Sequence, residues 1–413
     1  MSRIVDAVLP ARMGTPFRWL VGSSWSSNLG DGIALAAGPL LVASQTSDPL
    51  LVALAALLQR LPWLLFGLSA GVVADRVDRR RLVIVVNLIR AGVLAVLALA
   101  LVTGAVDVVV VLTAMFLMGV AEVFADTTSG TLLPMLVAKR DLGVGTARVM
   151  AGHLTMNNLA GPAIGAFLFA AGAAWPFVVQ ALCLVLAVIL VSRMAVPAVP
   201  RPETPSHLRR DVAEGWRWTW GNAPVRTLTL TIVTFNVTYG AAWSVLVLYA
   251  TDTLDLGAVG FGLLTSVSAL GGVLGTIGYD WLERRVGLAD IMRVGLVIET
   301  FAHLGFALTT TGWVAMVIMF VFGVHASVWG TTARTVRMRA VPMALQGRVG
   351  SLYLIGVFGG MVAGQALGGV IARIWGITGP FWFAFVGSAL ILVLIWRQLE
   401  HIAHADEEAL AAA

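Results

Sequence analysis

Residues 49–81 read PLLVALAALLQRLPWLLFGLSAGVVADRVDRRR. From Pro49 to Val73 the stretch is almost wholly apolar, broken by Gln59, Arg60 and Ser69. Four arginines then follow closely: Arg76, Arg79, Arg80 and Arg81. About twenty apolar residues is the length a helix needs to cross the hydrocarbon core of a bilayer. A basic cluster at the end of such a helix marks its cytoplasmic face. The stretch therefore reads as a membrane-spanning helix over 49–73 that ends in a cytoplasmic turn.

The same unit recurs along the chain. Of the 413 residues, 59% are hydrophobic and 12% charged, whereas a soluble protein keeps roughly a quarter of its residues charged. The blocks are too long for the alternating segments of about ten residues that build a barrel. Apolar periodicity predicts spans at 17–44, 49–73, 82–103, 107–130, 146–171 and 175–195, then at 225–251, 258–282, 289–310, 313–335, 349–373 and 379–397. The fold class is an all-α membrane protein of twelve transmembrane helices in two pseudo-symmetric six-helix bundles. The domains expected are a bundle over 1–195, a cytoplasmic linker over 196–224, a second bundle over 225–398 and a cytoplasmic tail over 399–413. Pro197, Pro200, Pro202 and Pro205 forbid regular helix in the linker. Residues 207–220 suit a short amphipathic helix at the membrane surface. The N-terminus shows no cleavable signal pattern, so the first helix is expected to direct insertion.

The chain carries a formal net charge of +5, and Lys139 is its one lysine among 27 basic residues. These residues sit in clusters between apolar blocks, without the aromatic-basic stripe of a nucleic-acid binder. Lys139 and Arg140, Arg284 and Arg285, and Arg337, Arg339 and Arg348 fall on the same side as Arg76 to Arg81. The alternate loops carry Asp48, Asp107, Asp252 and Asp255, with Arg373. Both termini are therefore expected in the cytoplasm, and the chain in a cell inner membrane. No nucleotide-binding Gly-rich loop, no His-Glu-x-x-His string and only six histidines occur, two of them, His401 and His404, in the polar tail. The expectation is a non-enzyme with no cofactor and no metal. Cys183, the single cysteine, reads as a buried bystander.

An internal repeat supports two halves. Asp75 precedes Arg79 and Arg80 as Asp280 precedes Arg284 and Arg285. Gly119-Val120 with Thr127, Thr128 and Thr131 matches Gly323-Val324 with Thr331, Thr332 and Thr335. Gly161 and Gly165 match Gly364 and Gly368. Duplicated halves predict a midplane site between them and alternating access.

The string Gly71-Val72-Val73-Ala74-Asp75-Arg76-Val77-Asp78-Arg79-Arg80 resembles the signature between helices two and three of the major facilitator superfamily, Gly-x-x-x-Asp-Arg-x-Gly-Arg-Arg. Asp78 replaces the second glycine. The resemblance implies a gate latch built from Gly71, Asp75, Arg76, Arg79 and Arg80, echoed by Asp280, Arg284 and Arg285. It also implies that Asp126 pairs with the loop arginines. The bland alternative is a plain topology signal. Gly71 is expected to admit a close helix neighbour. Gly161-Pro162-Ala163-Ile164-Gly165 is similar to the Gly-Pro-x-x-Gly element of the superfamily's drug and proton antiporters, where a proline bends helix five. Over nearly its whole length the chain resembles the branch of enterobactin exporters and macrolide or multidrug efflux permeases. The helix-four arginine tied to proton coupling in many antiporters is absent from Met115-Phe116-Leu117-Met118-Gly119.

Charges inside the membrane are costly and face the bundle interior with partners. Asp31, Arg60 and Glu122 are expected to form a protonatable coupling cluster, with Arg60 as the counter-ion; a fixed structural ion pair is the alternative. Arg90 is a further intramembrane charge. His303 and His325 read as hydrogen-bonded packing residues, with proton relays as the alternative, and Glu299 and His303, four residues apart, are expected to satisfy each other. Asn28, Gln59, Trp63, Asn157, Asn158, Asn236, Tyr239, Trp243 and Trp329 are the expected cavity residues, an apolar surface with a few oriented polar groups. The function expected is secondary export of amphipathic small molecules, with protons as the coupling ion, the lipid bilayer as surroundings and a monomeric chain. An importer, a lipid flippase or a transport-inactive membrane partner are the alternatives.

Overall fold

A computed structural model describes residues 10–196 and 208–403. The four linker prolines lie outside the described residues, as does His404 of the tail. Among the described residues every element is helical. The first half contains α1 (Gly14–Gln45), α2 (Pro49–Arg76), α3 (Arg79–Thr103), α4 (Val108–Leu136), α5 (Lys139–Ala171) and α6 (Trp175–Ser192). The second opens with the amphipathic helix α7 (Leu208–Gly221). It continues through α8 (Ala223–Trp243, bent by 43° into Leu246–Thr253), α9 (Gly257–Glu283), α10 (Leu288–Leu308), α11 (Gly312–Ala340), α12 (Met343–Trp375) and α13 (Gly379–Ile395). A last short helix, α14, covers Gln398–Ala403.

Nine of these helices are individually long and apolar enough to cross a bilayer, and bent α8 makes ten. The 32-residue α1, diluted by small polar residues, and the 17-residue α13 complete the twelve. Large apolar side chains such as Val102, Ile277, Val393 and Leu394 are left exposed, the surface that lipid tails cover in a membrane protein.

Several loop acids have a local task besides signalling topology. Asp78 caps α3 by accepting from the Arg81 backbone N–H at 2.8 Å, which is why a carboxylate suits the position of the signature's second glycine. Asp107 caps α4 through Val110 at 2.8 Å, and Asp48 accepts from Leu50 at 2.9 Å at the start of α2.

The chain divides into two compact units. The first comprises the described residues of Met1–Thr46, Leu65–Ser206 and Ala258–Ser266; the second comprises those of Ser47–Leu64, His207–Gly257 and Val267–Ala413. In the first unit α1 packs on α5 and α6, α3 on α6, and α3 on α4. In the second unit α8 packs on α12 and α13, α10 on α13, and α10 on α11. The two sets are the same set of neighbours six spans apart, as a duplicated bundle requires.

Glycines set the closest approaches. A Cβ on Gly165 would stand 2.2 Å from the carbonyl oxygen of Ile33, and one on Gly161 2.5 Å from Cα of Gly32. In the second unit a Cβ on Gly364 would stand 2.2 Å from the Val237 carbonyl oxygen, and one on Gly368 2.4 Å from that of Ala241. Small residues let membrane helices meet backbone to backbone, where dispersion replaces the absent hydrophobic drive. The Gly-Pro element works locally in a related way. Pro162 begins the regular stretch Gly161–Ala171, and the eight residues before it, His153–Ala160, form a π-helical turn. The widened turn accommodates the missing N–H of proline. Gly71 behaves differently from expectation: nothing lies within 4 Å of where its Cβ would be.

Candidate functional site

Asp31 lies between Gly30 and Gly32, whose absent side chains let α1 touch α6 and α5. Its carboxylate forms a buried ion pair with Arg90 of α3, whose side chain is 0% exposed. Arg90 also donates to Oδ1 of Asn87 at 3.2 Å, and Ser27 donates to Asp31 at 3.4 Å. Glu122 and Asp126, four residues apart on α4, act electrostatically on Arg90, and Asp126 is in turn acted on by Glu122, Asp31 and Arg90. The neighbourhood extends to α5, where Nδ1 of His153 lies 3.0 Å from Oδ1 of Asn28 and feels the charge of Asp31. One carboxylate is thus paired directly with the buried guanidinium, and two more on α4 lie within its electrostatic reach, Asp126 with its side chain exposed.

This arrangement corrects two expectations. The cation paired with Asp31 is Arg90 and not Arg60. Arg60 belongs to the second unit, where its charge acts on Tyr239, and it makes no ion pair among the described residues. Asp126 shares its field with the Asp31–Arg90 pair and makes no ion pair with Arg76, Arg79 or Arg80.

At the signature loop, Arg79 bridges Asp75 at 2.8 Å, donates to the Ala74 carbonyl at 3.3 Å and lies 3.3 Å from the Met135 sulfur. Arg80 donates to the terminal carbonyls of Val191 and Ser192 at the end of α6, where a cation complements the unpaired carbonyls and helix dipole. Arg76 is exposed. The echo in the second unit is the ion pair of Asp280 with Arg284. Arg285 turns instead onto the Trp281 ring, 4.6 Å from its centroid. The amphipathic α7 is fastened to α12 by Arg348, which pairs with Asp211 at 3.0 Å and Glu214 at 2.6 Å. Gly215 makes room, since its Cβ would lie 2.7 Å from the Arg348 carbonyl oxygen.

The expected cavity residues separate by unit. In the second, Tyr239 and Trp243 stack at 4.4 Å, and Phe322 closes on Trp243 at 4.6 Å. Trp63 stacks on Phe358 at 5.5 Å. Gln59 is half-buried nearby in sequence. Asn236 turns back to donate to the Ile232 carbonyl at 2.8 Å. The indole N–H of Trp329 is buried without an acceptor. In the first unit Asn28 is committed to Ser24 and His153. The half-buried Asn157 and Asn158 lie in the wide turn of α5.

The expectation for the second unit's histidines is also revised. Glu299 meets His325 at 3.3 Å rather than His303. Gly295 permits the approach: a Cβ there would lie 2.9 Å from Nδ1 of His325, so the glycine makes space for a ring from the next helix.

An α-helical membrane protein of two repeated six-span halves, with intramembrane charges held inside, is a major facilitator transporter in architecture. The solved structures agree. A variant of the nucleoside transporter NupG has a TM-score of 0.76 at 11% identity, covering 93% of this chain and 99% of that one. A bacterial homologue of the iron transporter ferroportin, in an inward-facing state, has a TM-score of 0.74 at 16% identity, covering 93% and 98%. The chain belongs to the major facilitator family described as transmembrane secretion effectors, which it matches over residues 7–413. Among characterised relatives, the multidrug efflux pump Tap of Mycolicibacterium fortuitum is 27% identical over 369 residues, covering 84% of this chain and 88% of that protein. The enterobactin exporter EntS of Citrobacter koseri is 24% identical over 342 residues, covering 78% of each. The protein is a multi-pass membrane transporter, and its family and neighbours are transporters rather than enzymes.

Proposed function

We propose that this chain is a secondary exporter of amphipathic small molecules, drug-like or siderophore-like, driven by protons entering against the outgoing substrate. It acts as a monomer in the inner membrane, with both termini in the cytoplasm. The observation that supports this reading is the cluster of acids in the first unit: Asp31 is ion-paired with the buried Arg90, and Glu122 and Asp126 lie within electrostatic reach of that pair. Unbalanced charge is costly in a membrane interior. A carboxylate of this cluster that loses access to water during the cycle is therefore favoured in a protonated or cation-paired form. Competition between proton and substrate for the same carboxylates is antiport in its simplest form. Arg90 stands in for the missing arginine of helix four as the fixed cation of the cluster. The efflux activity named for both relatives supports the direction. The aromatic wall of Tyr239, Trp243 and Phe322 suits a flat apolar ligand.

The test is ethidium transport by the full chain in proteoliposomes, with and without an imposed pH gradient. Gradient-driven movement is expected in the wild type and lost in Glu122→Gln and Asp126→Asn together. Equal rates with and without the gradient, or full gradient dependence in the double variant, would sink the coupling. Alanine at Tyr239 and Trp243 together is expected to weaken ethidium binding at least tenfold, about 1.4 kcal/mol, measured by fluorescence titration.

A further inference from the structure

The second unit contains ionisable side chains that this coupling scheme leaves unused. Glu299 on α10 is 8% exposed, and its carboxylate lies 3.3 Å from Nε2 of His325 on α11. Nδ1 of His325 is buried without a hydrogen bond. His303, one turn beyond Glu299, is fully buried. Neither of its ring nitrogens makes a well-aligned hydrogen bond, although the Glu299 main chain lies beside the ring. The enclosure is aromatic: His303 meets Trp243 edge-on at 6.0 Å, and His325 meets Phe322 edge-on at 5.8 Å.

The surrounding helices bring little fixed charge to this spot. α13 has no ionisable residue. From α8 comes Tyr239, on which both Arg60 and Glu299 act. Arg334, Arg337 and Arg339 lie more than two turns further along α11. Arg293, on α10 itself, is taken up by Asp290 and Glu400. The direct partner of Glu299 is therefore a titratable imidazole, whereas Asp31 has a guanidinium. A carboxylate beside a neutral imidazole leaves a net buried charge, and that is costly. One proton held between the two groups makes the pair neutral overall, as carboxyl with imidazole or as carboxylate with imidazolium. The unfilled nitrogens of His303 give that proton a further acceptor.

We propose that Glu299, His325 and His303 form a proton-binding site of the second unit, separate from the first unit's carboxylates. The Glu299–His325 pair holds one proton at rest, and His303 is the next acceptor. The site stands independently of substrate and transport direction. It is tested on the full chain in liposomes without substrate, by infrared difference spectra across a pH series and by 15N-histidine NMR of the same samples. In wild type, the carboxyl or carboxylate band of Glu299 and the His325 ring nitrogens are expected to change over one common pH range. The band is expected to vanish in Glu299→Gln and to survive in Glu122→Gln/Asp126→Asn. A His325 ring that stays neutral with no accompanying carboxyl change, or a band that Glu299→Gln leaves in place, overturns the proposal. Should Glu299→Gln fail to fold, the wild-type spectra decide alone, and loss of the common transition in His325→Gln supports the site. Failure of the exporter reading shows up elsewhere, as ethidium movement indifferent to a pH gradient, and leaves these spectra unchanged.

Discussion

The two halves share a packing plan and differ in what they place inside it. The repeat runs at an offset of 205 residues from Asp75 to Asp280 and 204 from Gly119 to Gly323. At those offsets Asp31 maps to Phe235 or Asn236, Arg90 to Val294 or Gly295, Glu122 to Ala326 or Ser327, and Asp126 to Gly330 or Thr331. The fixed charges of the first half have no charged counterparts in the second. There the interior is aromatic, and its acid is met by imidazole. The close-packing glycines are retained in both. Backbone contacts that set the fold tolerate little change, while side chains lining an interior diverge freely once folding no longer depends on them.

The comparison breaks first at the ion pair. Arg90→Met is expected to cost about 3–5 kcal/mol, because it leaves the Asp31 charge buried and unpaired. Arg60→Met is expected to cost far less. Thermal unfolding in detergent checks both, and equal losses would contradict the assignment of Arg90 as the partner. Asp31→Asn combined with Arg90→Gln should recover part of the loss, since neither charge then remains. Next come the glycines. Gly165→Val and Gly368→Val are each expected to destabilise by about 1–3 kcal/mol or more through overpacking. Similar losses would sharpen the symmetry, and a silent Gly368→Val would break it. The smallest effect belongs to the loop pairs. Arg284 and Asp280 are 72% and 76% exposed at their side chains, so Arg284→Gln should shift stability by no more than about 0.5 kcal/mol. Arg79, 22% exposed and joined to Ala74 and Met135 as well as Asp75, should lose about 1 kcal/mol or more on the same change.

Most of the architecture was readable from sequence because the bilayer imposes a length. Blocks of about twenty apolar residues, arginine clusters on alternate loops and a half-length repeat each have one physical reading. The amphipathic α7 was readable too, although Arg348 as its anchor was not. The site was legible as a set of residues and not as a set of pairs. Asp31 lies 14 residues before the end of α1, Arg90 13 before the end of α3, and Arg60 11 after the start of α2. These three ends face the same side, so hydropathy gives nearly equal depths. Only the lateral order of the helices chooses Arg90, and periodicity within one helix contains nothing about its neighbours. The pairing of Glu299 with His325 was hidden for the same reason, since the i to i+4 spacing pointed to His303.

The wide turn of α5 has a consequence for the register of the two halves. The short turns Lys139–Asp141 and Met343–Leu345, which lead into α5 and the long helix of α12, are 204 residues apart, yet Gly161 and Gly364 are only 203 apart. The first half therefore contains one more residue within that stretch of helix than its twin. A π-helical turn is how a helix absorbs a single added residue without turning its later side chains to another face. The extra residue leaves the glycine seam against α1 intact and places Asn157 and Asn158 in a bulge that α12, regular throughout Gln346–Trp375, does not have.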